Sequence, residues 1–165
     1  MLEHRLNSGD FMFESILIAT DGSKNSERAA KAGVELAKLS GGRVTIVYVA
    51  DIGKHMPTKC FSTPFGGLNP DAIAYAATTL REEVLDAGEM VTRKVEELAK
   101  ESDVTSNRLI VEGNPASEIL RIAEEAKMNV IVMGSIGKTG LEKILIGSVA
   151  ERVVCNSNVP VLIVH

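Results

Sequence analysis

Short apolar runs alternate with segments of helical period along the whole of this chain, and few architectures accept that alternation. The first run, 15–20, ends at Asp21-Gly22 and reads as a buried strand closed by a turn. Ser23 is placed to cap the helix that follows, with Glu27 in its first turn. Ala30, Val34 and Ala37 share one face of that helix, which stops at Gly41-Gly42. A β-rich run covers 43–49, and a loop rich in Gly and Pro covers 50–70. Across 71–101, Leu80, Val84, Ala87, Val91, Val95 and Leu98 recur every three or four residues, which puts them on one helical face. A strand at 105–112 is followed by a helix opened by Asn114-Pro115, with Ile119, Ile122, Ala123 and Ala126 as its buried face. A strand at 130–133, a helix over 148–156 and a last strand at 161–164 complete the pattern. Strands that are apolar almost throughout are expected where both faces of a sheet are covered. The predicted fold is α/β, a doubly wound parallel sheet with helices on both faces.

The chain has 165 residues, the size of one domain, and no composition shift or internal repeat divides it. The expected organisation is a mobile leader over 1–12 and a single domain over 13–165. The formal net charge of −4 argues against a nucleic-acid binder, which needs an excess of Lys and Arg to meet phosphates. A nucleotide is compatible with that charge, because backbone N–H groups and a metal ion can satisfy its few phosphates. No apolar run approaches the roughly 20 residues that cross a bilayer, so no membrane partner is expected. Two cysteines, Cys60 and Cys155, make no disulfide framework, and a reducing cytoplasm is the simpler expectation. Cys155 falls in a helix where a small apolar residue would serve as well. His4, His55 and His165 are scattered, and no Cys/His spacing resembles a metal site.

In open α/β sheets, ligands sit outside the carboxyl ends of the strands. Three such ends stand out: Thr20-Asp21, Val49-Ala50-Asp51 and Met133-Gly134. The last leads into Gly134-Ser-Ile-Gly137-Lys-Thr-Gly140 and, further on, Gly147-Ser148 at a helix start. Glycines let a backbone approach a ligand, and a helix N-terminus adds unpaired N–H groups and partial positive charge. Ser135, Thr139 and Ser148 supply hydroxyls and Lys138 a cation, a set suited to a polyphosphate. The same glycines would also serve simply as turns, and Asp21 would also serve by satisfying N–H groups in its own turn. Gly137-Lys138-Thr139 looks like the tail of a P-loop, but Val132 stands where that motif needs its first glycine. A dinucleotide fingerprint is absent as well.

The spacing of Gly134, Gly137 and Gly147-Ser148 resembles the nucleotide-binding pattern of the ATP-binding universal stress proteins. The opening Ile16-Leu-Ile-Ala-Thr-Asp-Gly-Ser23 and the closing Ser157-Asn-Val-Pro-Val-Leu-Ile-Val164 are similar to that family's ends. The resemblance covers 13–165 and implies a five-stranded, Rossmann-like sheet in the order 3-2-1-4-5. It implies that Ala19, Thr20 and Asp21 line an adenosine pocket, with Asp21 near the ribose and a possible metal, Mg²⁺. Val49 would meet the adenine edge through its backbone, and Gly134 would pass close to the ribose. Gly137, Lys138, Thr139, Ser148 and Val149 would surround the phosphates, and Met133, Ser135 and Gly147 complete the expected nucleotide-binding set. Family members often carry proline where this chain has Ala19.

The function implied is that of a dimeric, nucleotide-dependent switch in stress response, taking ATP, ADP or AMP. The alternative is a slow ATP hydrolase or phosphotransferase, but no His, Glu or Asp falls in the glycine loop before Glu142 to position a water or acceptor. The last strand, all apolar at 161–164, would lie at a sheet edge and pair with its copy in a homodimer.

Overall fold

A computed structural model describes residues 13–55, 70–136 and 146–165. Its elements run β1 (Ser15–Ala19), α1 (Lys24–Ser40), β2 (Arg43–Ala50), α2 (Ile52–His55), α3 (Pro70–Glu101), β3 (Ser106–Glu112), α4 (Pro115–Glu125), β4 (Val130–Gly134), α5 (Ser148–Asn156) and β5 (Val161–Val164). The five strands form one parallel sheet in the order β3-β2-β1-β4-β5, as expected. The first crossover places β2 beside β1, and the chain then returns past β1 to lay down β4. β1 and β4 are therefore neighbours at the point where the winding reverses, with Ala19 opposite Met133.

The sheet is held by two apolar layers. Ile16 and Ile18 of β1 face α1 and α3, packing with Ala30, Val34, Ala37, Val95 and Ala99. Leu17 and Ala19 face the other way, onto Ile119, Ile122 and Ala123 of α4 and Ala150 and Val153 of α5. Every residue of β1 is buried, so a strand with no polar face is the stable solution. Full burial of each large aliphatic contributes about 1.5–3 kcal/mol.

The helix ends follow the local sequence. The Ser23 side chain accepts from the Ser26 N–H at the start of α1, and Gly41 closes the helix in the left-handed region at φ 65°. Asn114 caps α4, and Pro115 opens it. Ala126 departs from expectation. It is exposed, because α4 ends at Glu125 and the chain turns at Ala126 before the helical period can carry that side chain to the sheet. Within the stretch read as a loop over 50–70, β2 continues to Ala50 and Ile52–His55 form a helical turn. The Asp51 carboxylate accepts from the Lys54 N–H at 3.1 Å across that turn. Cys155 is exposed on α5 rather than packed. Cys60 and the 1–12 leader lie outside the described residues. Among the described residues, no helix is long and apolar enough to cross a membrane.

Candidate functional site

β1 leaves the sheet at Thr20, whose N–H donates to the Val47 carbonyl at 3.0 Å. The chain then turns through Asp21-Gly22. An Asp21 carboxylate oxygen accepts from the Ser23 N–H at 3.0 Å, and the Thr20 hydroxyl oxygen accepts from the Gly22 N–H at 3.4 Å. These are side-chain-to-backbone turns of the kind that short polar residues favour. The role of Asp21 in satisfying its own turn is therefore present in the structure, whatever else it does. Thr20 is buried and also donates to the Ser26 hydroxyl at 3.2 Å, fixing the strand exit onto the first turn of α1.

The end of β4 meets the same turn of α1. A Cβ on Gly134 would stand 2.8 Å from both the Asn25 carbonyl carbon and the Ser26 nitrogen, so no side chain fits there. Ser135 follows, fully buried and bonded on three sides. Its N–H donates to the Val164 carbonyl at 2.8 Å, and its carbonyl accepts from the Gly147 N–H at 2.7 Å. Its hydroxyl accepts from the Asn25 side-chain amide at 3.4 Å. The Ser23 hydroxyl reaches the Ile136 carbonyl at 3.5 Å. One residue thus joins the end of β5, the start of α5 and the start of α1.

α5 begins at Ser148 with Gly147 as its N-cap, which makes no side-chain hydrogen bond to the first turn. The opening N–H groups of a helix lack intrahelical partners. Gly147 sits at φ −81°, ψ 157°, ordinary extended backbone. Its backbone angles therefore do not require glycine. Ser148 is exposed and Val149 is half-buried.

The structure brings Ala19, Thr20, Asp21, Met133, Gly134, Ser135, Gly147 and Ser148 to one end of the sheet. Ala19 and Met133 are buried neighbours in register. Val49 lies on the adjacent strand, half-buried and packed toward the α4 and α5 layer. Gly137, Lys138 and Thr139 lie outside the described residues. Asn25 and Ser26 were missed in the sequence. Their only sequence signal is a polar first turn after Asp-Gly, which capping alone explains. Tyr48, between Val47 and Val49, was also missed. Burial raises its pKa first, and the Asp21 carboxylate raises it further.

A cavity of about 200 Å³ opens elsewhere, between Leu120, Ala123, Lys127, Asn156 and Val159 at the C-terminal ends of α4 and α5. None of the predicted site residues lines it. No group of three or more His, Cys, Asp and Glu among the described residues could hold a metal ion.

The family model described as "Universal stress protein family" matches residues 12–165. Universal stress protein MJ0531 of Methanocaldococcus jannaschii is 38% identical over 164 residues, covering 99% of this chain and 89% of its own length. MJ0577 of the same organism is 35% identical over 159 residues, covering 93% and 95%. The solved structure of MJ0577 matches with a TM-score of 0.76 over 93% of this chain and 96% of that one, at 29% identity. A universal stress protein of Archaeoglobus fulgidus solved in complex with dAMP shares the fold, with a TM-score of 0.63 at 21% identity and coverage of 93% and 99%.

Proposed function

The chain belongs to the universal stress protein family, and on that premise we propose that the cleft at the carboxyl ends of β1 and β4 binds an adenine nucleotide, ATP or its ADP and AMP relatives. The start of α5 carries this reading. Its N-cap is a glycine with no side-chain cap bond, and that glycine is tied at 2.7 Å to Ser135 at the end of β4. Opening N–H groups that their N-cap residue leaves uncapped suit phosphate oxygens, and the helix dipole favours their charge. The dAMP complex of the A. fulgidus relative supports the same ligand class.

In this reading Ala19, Thr20 and Asp21 line the adenosine pocket and the Val49 backbone meets the adenine edge. Met133 and Gly134 pass under the ribose. Ser135, Gly137, Lys138, Thr139, Gly147, Ser148 and Val149 surround the phosphates. Magnesium would arrive with the nucleotide. With no three-ligand cluster among the described residues, Asp21 would supply one oxygen, and phosphates and water the others. Binding rather than turnover is the role proposed, since the glycine loop carries no His, Glu or Asp before Glu142.

The nucleotide would act in a cytoplasmic homodimer built on β5. That strand is at the sheet edge, and Leu162 on it is 39% exposed. An apolar edge with unpaired backbone groups is matched by its own copy across a two-fold axis. Mass spectrometry of small molecules released by heating freshly purified protein tests the ligand class. An adenine nucleotide near one per chain is expected, and a different stoichiometric ligand would contradict it.

A further inference from the structure

Resting on the adenine-nucleotide reading, we propose that Asn25 is a positioning residue for the phosphate end of the site: its side-chain amide, acting through Ser135, fixes where the start of α5 stands and so favours ATP over unphosphorylated adenosine.

The start of α1 reaches outward through Ser23, Asn25 and Ser26. The Ser26 hydroxyl accepts from the Thr20 hydroxyl at 3.2 Å, at the end of β1. Just past the end of β4, the Ser23 hydroxyl donates to the Ile136 carbonyl at 3.5 Å and the Asn25 amide donates to the Ser135 hydroxyl at 3.4 Å. Ser23 and Ser26 also build the helix start itself. The Ser23 hydroxyl accepts from the Ser26 N–H, and the Ser26 hydroxyl donates to the Ser23 carbonyl. The Asn25 side chain has no such second task, since among the described residues its amide bonds only to Ser135. Intrinsic helix propensity favours alanine over asparagine, so the helix gives no reason of its own for this side chain.

Ser135 is where the bond has leverage. It is 0% exposed, and a buried hydroxyl is unfavourable unless it is hydrogen-bonded. The Asn25 amide supplies that bond. The Ser135 carbonyl in turn accepts at 2.7 Å from the N–H of Gly147, the N-cap of α5. Two hydrogen bonds thus lead from α1, through one buried residue, to the helix start proposed to meet the phosphates. Gly134 opens this route. A Cβ there would stand 2.8 Å from the Asn25 carbonyl carbon and 3.1 Å from its Cβ, so only glycine lets the Asn25 amide come within reach of the next residue.

The two ends of the cleft depend on this route unequally. Ala19 lies in β1 and Val49 in β2, each held by its own strand ladder. Gly147 belongs to no strand, and its bond to Ser135 ties the start of α5 to the end of β4. Without the amide, Ser135 keeps a buried hydroxyl that has lost its side-chain partner, and it is released to move toward another, taking Gly147 with it. N–H groups held in place for phosphate oxygens lose affinity when they are loosened. The adenosine end is left as it was.

Asn25→Ala on the full chain tests this with two readouts. Hydrogen exchange followed by NMR, without nucleotide, should show the Gly147 amide proton exchanging at least about tenfold faster in the variant, with the Ile18 and Val34 amides unchanged. Calorimetry should show ATP bound about tenfold more weakly, and adenosine, read by competition against ATP, within about twofold of the wild type. In a Ser135→Ala background the same substitution should cause no further loss of ATP affinity, because its partner is already gone. Asn25→Gln, which keeps the amide, should recover part of the loss. Equal losses for ATP and adenosine, or faster exchange throughout the core, would mean a folding role and overturn the proposal. Unchanged ATP binding would overturn it too, leaving the nucleotide site intact, and additive losses in the Ser135→Ala background would overturn the route through Ser135. A wild type that binds neither ligand would overturn the nucleotide reading and the phosphate role with it.

Discussion

Gly134 and Asn25 meet backbone to backbone: a Cβ on the glycine would stand 2.8 Å from the Asn25 carbonyl carbon. The contact joins the end of β4 to the first turn of α1, so the strand exits on either side of the cleft are held at a fixed distance. Gly134→Ala must push these backbones apart. We expect a loss of stability of about 1–3 kcal/mol, the usual cost of overpacking, together with weaker nucleotide binding. Chemical denaturation and calorimetry on the same sample check both.

Gly147→Val should separate binding from folding. The position has extended backbone angles that valine readily adopts, so the fold should hold with its melting temperature nearly unchanged. The added side chain would stand where phosphate is proposed to meet the α5 N–H groups. An ATP affinity at least about tenfold lower, a loss of about 1.4 kcal/mol, is the expected calorimetric result.

Asp21→Ala should affect stability and metal dependence together. Losing the bond to the Ser23 N–H should cost about 1 kcal/mol. ATP binding measured with and without magnesium should become less dependent on the metal. A magnesium dependence equal to that of the wild type would remove Asp21 from the metal.

The proposed dimer is best tested with one substitution. Leu162 is exposed at 39%, whereas Val164 packs partly against the α1 layer. Leu162→Lys therefore charges the edge with little damage to the core. Sedimentation should show the wild type as a dimer at micromolar concentration and this variant as a monomer.

Much of the fold could be read from hydrophobic period, because burial sets it. Strands apolar throughout, such as β1, announce a two-sided core, and Ser23, Gly41 and Asn114-Pro115 mark helix ends by local chemistry. The period failed at Ala126, where the helix ends before its face is completed, and it said nothing of the turn at Ile52–His55. The strand ends and the α5 start were legible as glycine and hydroxyl spacing. Asn25, Ser26 and Tyr48 were not. The Asn25 contact with Ser135 spans 110 residues, and the seat of Tyr48 depends on a glycine of a different element. Gly147 stands at the start of α5, where the spacing put it, and its backbone is ordinary extended chain.

An adenine nucleotide is the proposed ligand of the cleft at the ends of β1 and β4. Calorimetric titration of ATP with Mg²⁺ into protein first shown to be nucleotide-free tests it most directly. Saturable binding near one nucleotide per chain is expected, with a dissociation constant in the micromolar range, on the order of −8 kcal/mol. No heat of binding and no thermal stabilisation at millimolar ATP would contradict it.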